Sequence, residues 1–144
     1  MQRRLQREWV ARTPDLPLRT PYEALILASI VEKETGRANE RQLIAGVFIN
    51  RLRAGMRLQS DPTVIYGLGP SFDGNLRRRD LKHDTPYSTY TRRGLPPTPI
   101  AMPGGDALYA VMHPAPTKAL YFVSRGDGSH HFSETRSEEH TSEL

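Results

Sequence analysis

The sequence predicts an α+β fold with a buried helix, amphipathic helices, long ordered loops and a C-terminal β-hairpin. Three observations support this prediction: repeated helix-start signals, two short apolar runs around a turn near the end, and twelve prolines and eleven glycines in 144 residues. Hydrophobic residues make up 37% of the chain and charged residues 25%, which fits one domain with a core and excludes a disordered chain. No apolar run approaches the roughly 18 residues that a membrane-spanning helix needs.

The most apolar helix is predicted to follow Thr20. Thr20 can cap it, Pro21 suits the first helical position, and Glu23 can complete a capping box. The middle of this segment is apolar nearly all round, which indicates burial, and Gly36 is expected to end it. A shorter and weaker helix is predicted over residues 2–12.

Two further helices are predicted from their start and stop signals. Asn39, followed three residues later by Gln42, marks the start of a helix that Gly55 ends. Asp61 is predicted to cap a short helix that Gly67 and Gly69 end.

The last third of the chain combines a long loop, a helix and a hairpin. Residues 70–105 are mostly loop, and a loop of that length in a small domain is usually functional. Asp106 is predicted to cap a helix that ends at Met112. Residues 120–123 and 130–132 are predicted to form the two strands of a hairpin.

Glu34 is the side chain best suited to acid–base chemistry. At about 100° per residue it falls on the helix face between Leu27 and Ile30, whereas Glu32 points elsewhere. A carboxylate at the end of a buried helix is desolvated, which raises its pKa and suits it to donate a proton near neutral pH. A structural glutamate that pairs with an arginine or caps a loop would occupy the same position, so the pattern alone leaves both interpretations open.

The other polar side chains form no recognisable catalytic or metal-binding pattern. The remaining acidic residues lie in turns or at helix starts, so spacing nominates no second carboxylate of the kind that a hydrolytic glycosidase uses. There is no cysteine, and adjacent strand residues such as His130 and His131 point to opposite faces. We therefore expect no metal and no cofactor. The net charge of +4 favours an anionic partner without identifying it.

Six short motifs together carry a family resemblance. In chain order they are Leu27–Thr35, Val47–Leu52, Met56–Gly67, Gly94–Pro97 with Ile100–Gly104, His113–Ala115 and Leu120–Val123. Each motif alone is weak, but the series resembles the MltG/YceG-like endolytic murein transglycosylases in the same order. The resemblance covers roughly residues 20–135.

The resemblance implies an enzyme that cleaves the MurNAc-β-1,4-GlcNAc bond inside peptidoglycan glycan strands. Cleavage is non-hydrolytic and leaves a 1,6-anhydro-MurNAc end, so one carboxyl group suffices as acid and then base. The family's catalytic glutamate stands immediately before a threonine, which corresponds to Glu34. The implied substrate groove is lined by polar residues, which are Asn50, Gln59, Ser60, Asp61, Thr63, Tyr87, Ser88, Thr89 and Tyr90.

One position departs from the family pattern. The family usually has an asparagine where this chain has Ser88, within Tyr87–Tyr90. An asparagine amide both donates and accepts hydrogen bonds, and could orient either the catalytic carboxyl or a sugar N-acetyl group.

The resemblance also implies a division of the chain and a cellular setting. Residues 1–19 are expected to be a truncated lead-in segment and residues 20–135 the lytic transglycosylase domain. Separately, residues 136–144 resemble a translated sequencing adapter and are expected to be a non-native tail. The parent protein is expected to be anchored in the bacterial inner membrane by a segment absent here. Its catalytic domain would face the periplasm or cell wall, with glycan strands and the cell-wall synthesis machinery as partners.

Two other functions stay open at this point. One is a non-catalytic peptidoglycan-binding module, which Ser88 would allow. The other is a basic nucleic-acid-binding module, suggested by charge alone. No nucleic-acid-binding motif is present, so we expect no nucleic-acid partner.

Overall fold

The helix over Pro21–Glu34 lies at the centre of the fold in the computed structural model, which describes residues 2–135. Those residues form six α-helices, two 3₁₀ turns and one two-stranded antiparallel sheet, which confirms the predicted α+β class. The helices are α1 (Gln2–Val10), α2 (Pro21–Glu34), α3 (Arg41–Ala54), α4 (Asp61–Leu68), α5 (Arg78–Lys82) and α6 (Gly105–Met112). The 3₁₀ turns are Ala38–Glu40 and Gly69–Ser71, and the strands are β1 (Tyr121–Ser124) and β2 (His130–Ser133). The predicted tail, 136–144, lies outside the described residues.

Helix α2 is surrounded by other helices, as its apolar sequence predicts. It packs against α1, α3, α4 and α6, and its middle residues are fully buried. At its start the Thr20 hydroxyl accepts a hydrogen bond from the Glu23 N–H at 3.1 Å, as predicted. The Glu23 carboxylate, however, accepts from the Arg19 N–H at 2.7 Å instead of completing the capping box on Thr20.

Three of the predicted N-caps, at Asn39, Asp61 and Asp106, are wrong. Asn39 lies inside the first 3₁₀ turn, so α3 begins at Arg41, and the Gln42 amide donates to the His113 carbonyl at 2.6 Å instead. Helix α4 starts from Ser60 and not from Asp61, whose carboxylate accepts a hydrogen bond from the Tyr90 hydroxyl. The predicted glycine end of α3 is confirmed, because Gly55 adopts a left-handed φ of 70°.

A side chain from a distant part of the chain contacts the start of α6. The helix starts from Gly104 and not from Asp106, which lies in its first turn. The Gly104 N–H donates to the Glu32 carboxylate of α2 at 2.7 Å. Glu32 therefore points away from the core face of its helix, as predicted, and ties α2 to the start of α6.

The hairpin is attached to α3 by aromatic contacts. Tyr121 pairs with Ser133 and Phe122 with Phe132, which confirms the predicted strands to within one residue. The Phe122 ring lies edge-on to Phe48 of α3, with ring centroids 5.6 Å apart. No helix within residues 2–135 is long and apolar enough to span a membrane.

Candidate active site

Glu34 is the last residue of α2 and is partly buried. The Ser60 hydroxyl donates a hydrogen bond to its Oε1 at 2.8 Å. Burial is the largest influence and raises the pKa of the Glu34 carboxyl from 4.5 to about 7. The hydrogen bond from Ser60 and the positive charge of Arg51 act to lower this pKa, and the negative charge of Asp61 helps to raise it.

A closed ring of hydrogen bonds holds Ser60 in place. The Ser60 N–H donates to the Thr89 hydroxyl at 2.8 Å, and the Thr89 and Thr63 hydroxyl oxygens are 2.8 Å apart. The Thr63 hydroxyl donates back to the Ser60 carbonyl at 2.7 Å. Thr63 and Thr89 are both buried, and their hydroxyl groups hold Ser60 in position. A hydrogen-bonded ring of this kind fixes the direction of the Ser60 hydroxyl toward Glu34.

Asp61 and Tyr90 form a second polar pair beside Glu34. The Tyr90 hydroxyl donates to Asp61 Oδ1 at 2.5 Å. Burial, followed by this hydrogen bond, raises the pKa of the Tyr90 hydroxyl, and the negative charge of Glu34 adds to the shift. Tyr90 therefore stays protonated at neutral pH and acts as a donor.

The other predicted groove residues are used in different ways. The Asn50 amide donates to the carbonyls of Thr117 and Ala119 at 2.8 and 3.0 Å, and so holds the segment that leads into β1. The Tyr87 hydroxyl lies 2.8 Å from the Thr98 hydroxyl oxygen. Gln59 is exposed and directly precedes Ser60.

Ser88 is the residue at which this chain departs from the family pattern. It is 2% exposed, and its hydroxyl oxygen has no hydrogen-bond partner among residues 2–135. An unpaired buried hydroxyl is costly, since a buried polar group normally finds a partner. Ser88 also lines a cavity of about 310 Å³ bordered by Pro86 and Pro97.

Arg51, whose charge acts on Glu34, is a residue of the site that the sequence patterns did not indicate. Arg51 is 4% exposed, and its guanidinium donates to the carbonyls of Leu120 and Leu58 at 2.7 and 2.5 Å. Arg51 therefore attaches two segments to α3: the one that leads into β1 and the one that precedes Ser60. A signal was present in the sequence, because Arg51 follows an apolar stretch of α3 where a helix face is expected to be buried.

The arrangement supports proton transfer. Within the described part of the chain, no three histidine or acidic side chains come close enough to hold a metal ion. The site instead has one carboxyl with a pKa of about 7, so both its protonated and its ionised forms are populated near neutral pH. Such a group can give a proton and take one back.

The sequence model of the YceG-like family matches residues 1–143. The chain belongs to the YceG-like family. A crystal structure of a YceG-like protein from Listeria monocytogenes is similar, with a TM-score of 0.81 and 35% identity over 97% of this chain and 43% of that one. The family fold thus agrees with the architecture that the sequence predicts.

Curated relatives of this YceG-like chain carry a functional name. An endolytic murein transglycosylase of Bacillus subtilis (strain 168) is 42% identical over 117 residues, which is 81% of this chain and 32% of that protein. An endolytic murein transglycosylase of Streptococcus pneumoniae (strain D39) is 38% identical over 109 residues, which is 73% of this chain and 20% of that protein. The chain therefore spans a third or less of the length of these relatives.

Proposed function

We propose that this chain carries the catalytic site of an endolytic peptidoglycan lytic transglycosylase, with Glu34 as its acid and base. The observation that carries the proposal is a buried carboxyl with a pKa of about 7, held by a donor hydroxyl at 2.8 Å. The names of the curated relatives support the same activity.

The proposed reaction begins with protonation of the glycosidic oxygen by Glu34. The bond from C1 of the muramoyl residue to that oxygen then breaks, and positive charge develops at C1. The ionised Glu34 next takes the proton from the muramoyl 6-hydroxyl, whose oxygen bonds to C1 and closes the 1,6-anhydro ring. Glu34 ends protonated, as it began, and no water is consumed.

The neighbouring residues would support both halves of this cycle. Ser60 donates a hydrogen bond to Glu34, which stabilises the ionised form that exists between the two proton transfers. The Asp61–Tyr90 pair places a negative charge beside Glu34, which favours return of the proton. We propose that Gln59, Asp61 and Tyr90 line the sugar groove, that Ser60, which is 1% exposed, holds the Glu34 carboxyl, and that Thr63 and Thr89 act through Ser60.

The most direct test of the function is mass spectrometry of peptidoglycan digested with the parent protein. We expect new muramoyl ends in the anhydro form, which lack one water relative to the products of hydrolysis. Only reducing ends, or no new ends, would contradict the proposal.

A second candidate function is a non-catalytic module that binds peptidoglycan. The unpaired Ser88 hydroxyl at a position where the family usually has asparagine is the observation that favours it. This alternative predicts binding to glycan strands without new anhydro ends, so the same digest distinguishes the two.

We also propose a cellular setting for the parent protein. It would be anchored in the bacterial inner membrane, with this domain facing the cell wall and acting beside the cell-wall synthesis machinery. Fractionation of cells is expected to place it in the inner membrane, and recovery in the cytosol would contradict the proposal.

A further inference from the structure

Arg93 lines two surface cavities. The larger, of about 440 Å³, is also lined by Arg57, Gln59 and Tyr121. The smaller, of about 310 Å³, is also lined by Thr89. We call these two cavities, lined by Arg57, Gln59, Thr89, Arg93 and Tyr121, the arginine trough.

The arginine trough lies beside the candidate active site. Gln59 directly precedes Ser60, whose hydroxyl donates to Glu34 at 2.8 Å. Thr89, on the other wall, accepts the hydrogen bond from the Ser60 N–H. A strand seated at Glu34 would therefore have the trough immediately to the side of Ser60.

The trough presents two guanidinium groups that face solvent. Arg57 and Arg93 are both exposed, and neither forms an ion pair within the described residues. Arg92, next in the chain, differs because it is paired with Asp84 at 2.9 Å. Two guanidinium groups that line one cavity favour an anionic ligand, and their paired N–H groups match the two oxygens of a carboxylate.

Gln59 adds a second sign of a binding site. Its φ of 53° lies in the left-handed region, which is unfavourable for a residue other than glycine. The hydrogen bond from its N–H to the Thr89 carbonyl at 3.1 Å helps to hold this conformation. Strain of this kind is concentrated at ligand-binding positions, and here it keeps an exposed amide at the edge of the trough.

We propose that the arginine trough binds a carboxylate of the stem peptide that peptidoglycan carries on its muramoyl residues. This inference rests on the proposed function and adds a preference for peptide-bearing strands to it. The sugar rings themselves are uncharged, and the lactyl group is amide-linked to the peptide. The anionic groups of a peptide-bearing strand are therefore those of its peptide.

The test compares native strands with strands whose peptide carboxyl groups have been converted to amides. The variant Arg57→Gln/Arg93→Gln is expected to raise the KM for native strands about tenfold, since it removes two charge-assisted contacts. It should leave the KM for amidated strands unchanged, and the unmodified chain should lose about tenfold when native strands are replaced by amidated ones. Equal effects on both substrates would overturn the inference.

The matched control is Arg78→Gln/Arg79→Gln on α5, which removes the same charge from two exposed arginines outside the trough. It is expected to change the KM for neither substrate. If it raises the KM for native strands as much as the trough variant does, the effect is general charge attraction and the inference is wrong. Circular dichroism confirms that each variant is folded.

A binding measurement separates this inference from the proposed function. Co-sedimentation with strands is repeated in a Glu34→Gln background, where turnover is not needed. The trough variant should then lose about tenfold in affinity for native strands and nothing for amidated strands. That result supports binding at the arginine trough even if the protein forms no anhydro ends. An unchanged affinity contradicts binding at the trough even if the protein does form anhydro ends.

Discussion

Glu34 binds its proton more tightly in the folded protein than in the unfolded chain, because burial raises its pKa to about 7. Below pH 4.5 the carboxyl is protonated in both the folded and the unfolded state, and the protonated Glu34 then makes its full contribution to the unfolding free energy. This contribution is lost as the pH rises toward 7, where the unfolded chain releases the proton first. The loss amounts to about 3 kcal/mol of unfolding free energy.

Glu34→Gln is therefore expected to be more favourable for stability at pH 8 than at pH 4.5. The unfolding free energy of the variant minus that of the unmodified chain should increase by up to about 3 kcal/mol from pH 4.5 to pH 8, because the amide does not ionise. Urea unfolding at the two pH values measures it. A difference that stays constant with pH would show that Glu34 is not desolvated in solution.

Ser88→Asn is expected to preserve or raise turnover. The Ser88 hydroxyl is unpaired within the described residues, and the adjoining cavity of about 310 Å³ has room for an amide. If the asparagine usual in the family orients the carboxyl or the sugar, restoring it should restore that contact. The rate of formation of anhydro ends measures the effect, and a large loss in a folded variant would mean that the local structure depends on serine.

The helices, the strands and the end of α3 were predictable because they follow local signals, whereas the glycine ends predicted at Gly36 and Gly67 were wrong, since α2 ends at Glu34 and α4 runs to Leu68. The apolar run of α2, the end of α3 at Gly55 and the hairpin all depend on residues close in sequence. The helix starts at Ser60 and Gly104, in place of caps at Asp61 and Asp106, were not predictable, because side chains from far along the chain contact both helix starts. Tyr90, which occupies Asp61, is 29 residues away, and Glu32, which binds the Gly104 N–H, is 72 residues away.

One contact between elements fixes the hairpin to the turn that follows α2. Glu40 is 7% exposed, and its carboxylate accepts the His130 N–H at 2.9 Å while its other oxygen lies 2.9 Å from His130 Nδ1. Burial alone would raise the pKa of Glu40, but the contacts with His130 outweigh it and lower this pKa. The His130 ring also lies edge-on to Phe122, with centroids 5.4 Å apart.

His130→Ala is expected to destabilise the protein by about 2 kcal/mol, since it removes the ring contact to a buried carboxylate and leaves that carboxylate only the backbone N–H of residue 130. His131→Ala is the matched control, because adjacent strand residues point to opposite faces, and it should cost about 0.5 kcal/mol or less. Thermal unfolding of both variants at pH 7 compares them. Equal losses would mean that the Glu40 contact does not hold the hairpin.

At the scale of the whole molecule, the sequence predicts that residues 136–144 are not part of the domain. They contain no apolar anchor apart from the final leucine, so their deletion should leave the Tm unchanged within error. A drop of several degrees would show that the segment contributes to the fold.

The raised pKa of Glu34 was predictable, whereas much of the hydrogen bonding around this residue was not. Helical periodicity and the family motif both select Glu34, and the structure gives it the raised pKa that this position implies. Periodicity could not show that Thr63 and Thr89 act through Ser60, or that the Asn50 amide is committed to the approach to β1. Those roles depend on contacts between segments that are distant in sequence, and polar residue type alone does not distinguish a groove wall from its support.

The most direct test of the account compares Glu34→Gln with Glu32→Gln, two residues apart on α2 and so about 200° apart around its axis. Glu34→Gln keeps the shape of the side chain but removes the proton that must go to the leaving sugar. Glu32→Gln keeps an oxygen that can accept from the Gly104 N–H. It therefore preserves the structural contact that we assign to this side chain.

The measurement is the rate at which each folded variant forms anhydro ends on purified glycan strands. Glu34→Gln should lose about 10⁴-fold, at the upper end of what general acid–base catalysis contributes, because one group acts as both acid and base. Glu32→Gln should retain most of the activity. If Glu32→Gln is inactive and Glu34→Gln remains active, Glu34 is not the catalytic acid and the proposed mechanism is wrong.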